Sequence, residues 1–442
     1  MTDATFDGPS REPSRAAQAE MAKPADDGVM RAADGAPLKA SIARAQRRQR
    51  LRAFLLVAPL LVFVLVTFIA PIGDMLFRSV ENQIVPDNMP RTVAALESWD
   101  PQRSELPPDE AFEAMVADMV EMEEAKNHTR VGSRLNYEQS GMSSLFRKTG
   151  RRADDIAPGE AREGLIDIDE DWADPEVWGT IKQYSGNFTS GYFLSAADMR
   201  RDPISGAVDW KPEFLQIYWI LFERTLFLSV TITLSTLLLG YPIAYLLATQ
   251  PLRVANVLLI LVLLPFWTSL LVRTSAWIVL LQDQGVINDT LVWLGILSDD
   301  NRLSMIFNQT GTIVAMTHIL LPFMILPLYS VMKTIPPSYV RAAKSLGATN
   351  WTAFWRVYFP QSIPGIGAGA ILVFILSIGY YITPELVGGT EGVFISNRIA
   401  YHISSSLNWG LAAALAVMLL AVVIVLYWLY DRIVGIDNVK LG

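Results

Sequence analysis

The sequence predicts an all-α integral membrane protein of six transmembrane helices, with a long extracytoplasmic insert between the first and the second. Three observations carry this expectation. Hydrophobic residues make up 51% of the 442-residue chain and charged residues 18%, a balance outside that of soluble globular domains. Six apolar runs, at roughly 53–77, 220–248, 255–281, 311–333, 363–386 and 409–431, are each long enough to cross a bilayer. The charge is also segregated: residues 78–219 hold 27 acidic and 15 basic side chains, leaving the rest of the chain basic.

Residues 1–40 are rich in Ala, Asp, Pro and Gly without an apolar period, and are expected to form a disordered cytoplasmic tail. The segment 41–77 joins a basic run (Arg44, Arg47, Arg48, Arg50, Arg52) to the first transmembrane helix. A cleaved signal peptide is the competing reading. The apolar run exceeds a usual signal-peptide core and no small-x-small site closes it, so an uncleaved helix is expected.

Residues 78–214 form the acidic periplasmic insert. Within it, Asp109 to Lys126 has apolar positions at helical spacing. Trp172, Trp178, Tyr184, Phe188, Tyr192, Phe193 and Trp210 suggest a small ordered core, packed on its own membrane domain or on a partner. The one histidine of the insert, His128, is expected as a solvated surface residue. Five more spans fill the transmembrane domain of 215–435, and 436–442 is a short cytoplasmic tail. Among the short loops, Arg253, the Lys333 to Arg356 stretch, Arg432 and Lys440 fall on one side, against Arg302 and Arg398 on the other. That asymmetry places both termini in the cytoplasm.

Composition removes several function classes. The chain has no cysteine, which excludes disulfides and thiolate chemistry, and its three histidines give little support to a zinc or iron site. No cofactor is expected. An acidic water-facing insert argues against nucleic-acid binding. No inverted internal repeat of the secondary-transporter kind is visible.

Between the fourth and fifth spans lies a polar, small-residue-rich stretch, Tyr339 to Pro360. Pro336 and Pro337 precede Ser338, which is expected to cap a helix beginning near Tyr339. Ala342 and Ala343 keep one face flat, and Gly347 permits a sharp turn or the close approach of another backbone. A second short helix from about Asn350 presents Trp351, Phe354 and Trp355, and Pro360 and Pro364 are expected to end it and start the next span. By residue chemistry alone this is either a helix that docks in a partner's groove or an interfacial helix among headgroups.

The spacing of this stretch resembles the cytoplasmic coupling motif of binding-protein-dependent ABC importers, which runs Glu-Ala-Ala, three residues, Gly, nine residues, Ile-x-Leu-Pro. Arg341-Ala342-Ala343, Gly347 and Val357-x-Phe359-Pro360 match it position by position, with Arg341 in place of Glu and Val and Phe in place of Ile and Leu. Gly240 to Tyr245, Leu264 to Trp277, Gly285 to Asn288 and Gly379 to Gly389 are similar to the spermidine/putrescine-type permeases. The resemblance covers about 50–77 and 215–435 and leaves out the tail and the insert. It implies an inner-membrane permease whose Arg341, Ala342, Ala343, Gly347, Trp351, Phe354 and Pro360 couple to an ATPase. The implied partners are a cytoplasmic ABC ATPase dimer, a second permease subunit and a periplasmic substrate-binding protein, with membrane lipid around the spans. The sequence has no Gly-x-x-x-x-Gly-Lys-Ser/Thr loop to cradle phosphates, so ATP hydrolysis is expected on the separate subunit and no enzyme activity here.

Ionisable residues within spans are costly unless they face water or a partner. Glu385, just after Pro384, and Asp283 are candidates for an acidic lining of the translocation path, with Tyr380 beside them; the alternative places both acids at the headgroup level. Arg273 is expected to contact a carbonyl or carboxylate in the bundle, and His318 to hydrogen-bond a neighbouring helix. The function expected is an importer permease with a polyamine as the favoured solute. The alternatives are an importer of another solute (an amino-acid derivative, a phosphonate or ferric iron), an ion-coupled secondary transporter, or a membrane-anchored protein whose insert works as an enzyme or sensor.

Overall fold

The structure, a computed structural model, describes residues 38–434. The expectations for the N-terminal tail as far as residue 37, for 436–442 and for the side chain of Arg44 lie outside the described residues. The chain divides into two units after Asp74.

The described residues of the first unit form one helix, Leu38–Val64, which continues through a π-turn at Leu65–Ile69 into Ala70–Arg78, the last four residues of which belong to the second unit. From Phe54 onward nearly all its apolar side chains are exposed, surface that a lipid or protein neighbour would cover. The π-turn has a local cause. Pro71 has no N–H to donate and its ring would strike the carbonyl four residues back. The chain widens just before it, with the Ala70 N–H reaching Leu65 O, and the helix passes the proline without breaking.

The second unit begins with a helical lobe. Its central helix, Asp109–Glu124, opens with Asp109 and Glu110, which complement the helix dipole. Its Phe112, Met115, Met119 and Met122 are buried on one face. Trp172 and Trp178 close the core, their rings 5.2 Å apart, with Phe112 4.6 Å from Trp178. Both indoles are satisfied: Trp172 Nε1 donates to Thr149 Oγ1 and Trp178 Nε1 to Trp172 O, each at 2.9 Å. One carboxylate sits in this core. Asp118 accepts from the Thr92 N–H at 2.7 Å and its hydroxyl at 2.8 Å; burial pushes its pKa up, against the pull of Thr92 and Arg91.

Four aromatic or imidazole positions depart from expectation. Phe188 and Trp210 are exposed, and Tyr192 belongs to a separate cluster with Tyr218, Leu221, Ile395 and Leu411. The segment after Tyr184 leaves the lobe core and runs toward the membrane helices, so its rings meet those helices or none. His128 is half-buried rather than solvated, its Nδ1 is buried without a partner, and its ring lies where a side chain on Gly150 would be.

The lobe joins the remaining helices through specific contacts. Asp198 accepts backbone N–H bonds from Ile217 and Trp219, at the start of the Tyr218–Thr249 helix. Tyr192 lies against Gly410, and Tyr137 Oη donates to Ser406 O at 3.1 Å, both beside the start of the Trp409–Val434 helix.

The helices Tyr218–Thr249, Gln309–Thr334 and Phe359–Gly379 share one core, built from Leu228, Ile232, Met316, Leu320, Met324, Leu328 and Val373. A Cβ at Gly369 would fall 2.7 Å from the Met324 sulfur and 3.1 Å from its carbonyl oxygen, so only glycine allows this crossing. Hydroxyls inside the helices bond their own backbone, as Thr225 to Leu221 O and Thr233 to Ser229 O.

Among the described residues five helices are long and apolar enough to cross a membrane: Gln46–Arg78, Tyr218–Thr249, Gln309–Thr334, Asn350–Gly379 and Trp409–Arg432. The expected third span, 255–281, is instead a bent pair, Leu252–Trp267 and Leu270–Trp293, at 95°. Pro265 tightens the end of the first member, and Ser269 Oγ caps the second by accepting from Val272 N–H. The fifth span begins earlier than expected, at Asn350, and stops at Gly379; Tyr380 is extended, before the short helix Ile382–Val387.

A candidate coupling hairpin and translocation path

The hairpin starts as the helix Pro337–Ser345. Pro337 takes the first helical position, where its missing N–H costs nothing. Ser338 therefore lies inside the first turn and is not the cap, which is Pro336 and offers no side-chain bond. The helix ends where Gly347 takes φ +90°, a left-handed conformation that disfavours any residue with a Cβ. Gly347 N–H bonds Lys344 O at 3.0 Å and Ala348 N–H bonds Ala343 O at 3.1 Å, which satisfies the last carbonyls in a Schellman arrangement. No other atom of the described chain lies within 4 Å of a Cβ there, so this glycine serves the turn rather than a close approach within the chain. Thr349 Oγ1 then accepts from Thr352 N–H and starts the next helix.

That second helix does not stop at Pro360. It runs from Asn350 to Gly379 through a π-turn at Phe354–Tyr358, in which the Phe359 N–H reaches Phe354 O. Pro360 follows two residues after the π-turn, the offset that Pro71 keeps in the first helix. The proline is thus absorbed by a widened turn, not used as a stop.

The hairpin stands on an aromatic footing. Phe354 meets Tyr245 edge-on at 5.7 Å and Tyr241 at 6.1 Å, and Tyr358 meets Tyr245 at 5.1 Å. Tyr241 Oη also shares a hydrogen bond with Ser362 Oγ at 3.0 Å. Each such ring pair adds about 0.5–1.5 kcal/mol beyond its buried area. Lys333 Nζ reaches Ala248 O at 3.4 Å, bringing the ends of two long helices to the same place. The opposite face is open. Leu346 is 90% exposed and Trp351 72%, and Arg341, Ala342, Lys344 and Arg356 are exposed around them. The segment 334–364 contains no acidic residue, so this face is cationic and apolar together.

The candidate path residues are held separately. Glu385 Oε2 accepts from Asn397 Nδ2 at 2.6 Å, and the same amide nitrogen donates to Tyr381 O. Tyr380 gives its carbonyl to Ser396 Oγ–H at 2.6 Å. Asp283 lies past the end of the Leu270–Leu281 helix, exposed, its carbonyl held by Arg302. Among the described residues no hydrogen bond or ion pair joins Asp283 to Glu385. His318 does bond a neighbouring helix, accepting from Trp277 Nε1 at 3.2 Å. Arg273 does not find the expected acceptor: its Nε is buried without a partner.

Residues 225–434 match the family described as "Binding-protein-dependent transport system inner membrane component". The chain is 33% identical over 222 residues to the spermidine/putrescine transport system permease protein PotB of Escherichia coli, across 50% of this chain and 80% of that protein. It belongs to this family of permeases. The chain is also 30% identical to the molybdenum transport system permease protein ModB of Mycobacterium bovis, with 49% of this chain and 81% of that protein covered. A solved bacterial ABC transporter involved in the import of alginate is 21% identical, covering 50% of this chain and 80% of that one, with a TM-score of 0.42.

The chain is accordingly a multi-pass inner-membrane permease, and within the family it resembles the spermidine/putrescine type. Sequence reasoning missed several residues that organise this permease. Tyr241 and Tyr245 stand four apart near the end of one helix, a spacing that signals one shared face. Asn397, which holds Glu385, carried no such signal, since its contact spans a break between two short helices.

Proposed function

We propose that this permease forms the translocation path of an ATP-driven importer for a small solute, with a polyamine of the spermidine/putrescine class favoured. The observation that carries it is the hairpin: a glycine-turned, exposed cationic and apolar surface on a fixed aromatic footing at the end of the helix bundle. In this reading a cytoplasmic ABC ATPase dimer grips Arg341, Ala342, Ala343, Gly347 and Trp351. Phe354 and Pro360 transmit its motion into the Asn350–Gly379 helix. A second permease subunit completes the path and a periplasmic binding protein delivers the solute. ATP is used by the partner, and this chain needs no cofactor and catalyses no reaction.

The proposed topology has six crossings with both termini cytoplasmic. Two contacts support it. The Lys333–Ala248 bond sets two helix ends on the hairpin's side, while Asp198 on Trp219 sets the lobe at the other end. The chain from 250 to 308 must then cross once, and in this scheme the bent pair is that crossing. The 78–214 insert is periplasmic in this scheme, and Glu385, Asp283 and Tyr380 lie toward that side, where carboxylates would attract a polycation.

Uptake of radiolabelled spermidine by cells carrying the full transport set tests the reading. Uptake should require this chain, and uptake unaffected by its deletion would sink the proposal. One observation favours a second solute class, an oxyanion such as a phosphonate: the unpartnered Nε of Arg273 in the bundle. Competition of uptake by phosphonate, with none by spermidine, would select it.

A further inference from the structure

Where the lobe meets the Tyr218–Thr249 helix, one short segment carries five large apolar side chains exposed: Trp210, Phe214, Leu215, Ile217 and Trp219. Phe214 is the extreme, at 82% exposure. Scattered exposed apolar residues are ordinary, but a concentration of them marks an interaction surface. The segment is also held in place. Trp210 ends a short hairpin, Met199–Arg201 paired antiparallel with Val208–Trp210, in which it stands opposite Met199. Lys211 N–H bonds Asp198 O at 2.8 Å and Gln216 Nε2 donates to Lys211 O at 2.7 Å. Asp198 in turn accepts from the Ile217 and Trp219 N–H groups, which ties the hairpin to the head of the helix.

The helix below indicates what covers this surface. Its exposed side chains Ile220, Phe227, Val230, Leu234 and Leu238 recur at helical spacing and form one outward stripe of a membrane span. Trp219 and Ile220 stand at the head of that stripe. From Thr225 to Tyr245 the helix carries no charged residue over about 30 Å, the thickness of a hydrocarbon core. Glu223 and Arg224 end that stretch, and Trp219 lies about 6 Å beyond Glu223, within the depth of a headgroup layer. Trp219 and Tyr245 are thus about 39 Å apart along the helix, close to the full span of a bilayer with its two interfaces. Tryptophan suits that layer because its ring meets acyl chains while its N–H stays among headgroups and water. The exposed charges nearby, Arg200, Arg201, Asp209 and Glu213, balance in sign, so apolar contact and not charge is the attraction on offer.

We propose that residues 210–219 form an interfacial foot, seated in the headgroup layer of the leaflet on the lobe's side, with Trp210, Phe214 and Trp219 reaching the upper acyl chains. The lobe then rides on the membrane at a fixed height. Because the chain has no cysteine, one introduced thiol can be labelled selectively. Phe214→Cys in the full chain is labelled with a thiol-reactive fluorophore and reconstituted in vesicles of phosphatidylethanolamine and phosphatidylglycerol. Nitroxides on the lipid headgroup, high on the acyl chain or near its end report depth, and iodide reports water. Phe214 is so exposed that its replacement leaves the packing intact; Trp210→Cys gives a second site, and Leu238→Cys in mid-span marks the deep end of the scale. Labels at 214 and 210 should be quenched several times more strongly by the headgroup and shallow nitroxides than by the deep one, the reverse of the order at 238, with little quenching by iodide. The pattern should survive high salt, which screens charge but not apolar contact. Strong quenching by iodide with none by any lipid nitroxide would place the segment in water and overturn the proposal. Weak quenching by every agent would mean that protein covers the segment, and would overturn it equally.

Discussion

Asp198 caps the helix that begins beside Trp219. Its Oδ2 accepts the Trp219 N–H at 2.6 Å and its Oδ1 the Ile217 N–H at 3.2 Å, and the residue itself holds φ +57°. Asparagine tolerates that conformation and keeps one acceptor, whereas alanine keeps neither property. Asp198→Ala is therefore expected to cost about 1–2 kcal/mol and Asp198→Asn clearly less. Thermal unfolding of the two purified variants checks the order, and equal losses would remove the capping role.

The turn at Gly347 gives a second ordered pair. Gly347→Val forces a β-branched residue into the left-handed region, while Gly347→Asn is tolerated there. Co-purification with the ATPase should be lost in the valine variant and largely kept in the asparagine variant, with both inserted normally in the membrane. Loss in both would point to contact with the glycine surface rather than to its backbone shape.

Charge on the hairpin makes a third prediction. With Arg341, Lys344 and Arg356 exposed and no acid in 334–364, the partner face is expected to be acidic where it meets Arg341. Arg341→Glu should weaken ATPase association, and raising salt should weaken the wild-type complex more than the variant's. A variant that binds as tightly at every salt concentration would show that Arg341 faces water.

For the path, Glu385→Gln keeps an oxygen that can accept from Asn397 and removes the charge. Uptake of a polyamine should fall severalfold while the protein's stability stays near wild type. Stability and uptake falling together would make Glu385 a structural residue.

His402 supplies a pH dependence. It sits between Tyr218 Oη at 2.9 Å and Ser406 Oγ at 2.8 Å; burial, and then the charge of Arg398, lowers its pKa to about 4. The folded protein therefore keeps it neutral, while the unfolded chain takes up a proton near 6.5, the ordinary value. Stability present above pH 6.5 is lost as the pH falls toward 4. The unfolding temperature should drop between pH 7 and pH 5, and by less in His402→Gln.

Much of the fold was legible because apolar run length is a local property. The spans at 218–249, 309–334 and 409–434 fall within a few residues of their apolar stretches, and Gly347 turns the hairpin as the sequence suggests, although Thr349, not Ser338, provides a side-chain cap there. The bend between Trp267 and Leu270 was hidden because the run of apolar residues continues through it. Pro360 misled for a different reason: a proline reads as a helix stop, and whether a π-turn accommodates it depends on neighbours that periodicity does not show. The docking of the lobe was not legible either. It rests on Tyr192 against Gly410 and Asp198 against Trp219, contacts between distant segments that carry no local pattern. At the candidate site, motif spacing located the hairpin, but the acceptor missing beside Arg273 and the donor found beside Glu385 both came from tertiary structure.

The π-turn before Pro360 also fixes a rotational phase. Each residue of an α-helix advances the chain by about 100°, so a turn that holds one extra residue offsets everything after it by that amount. Inserting a single residue between Trp351 and Tyr358 would swing Gly369 about 100° off Met324, even though every side chain named in the hairpin survived, whereas deleting one would turn the π-turn into regular helix and leave that phase unchanged. The hairpin is thus a geared part, more sensitive to the number of its residues than to the identity of most of them.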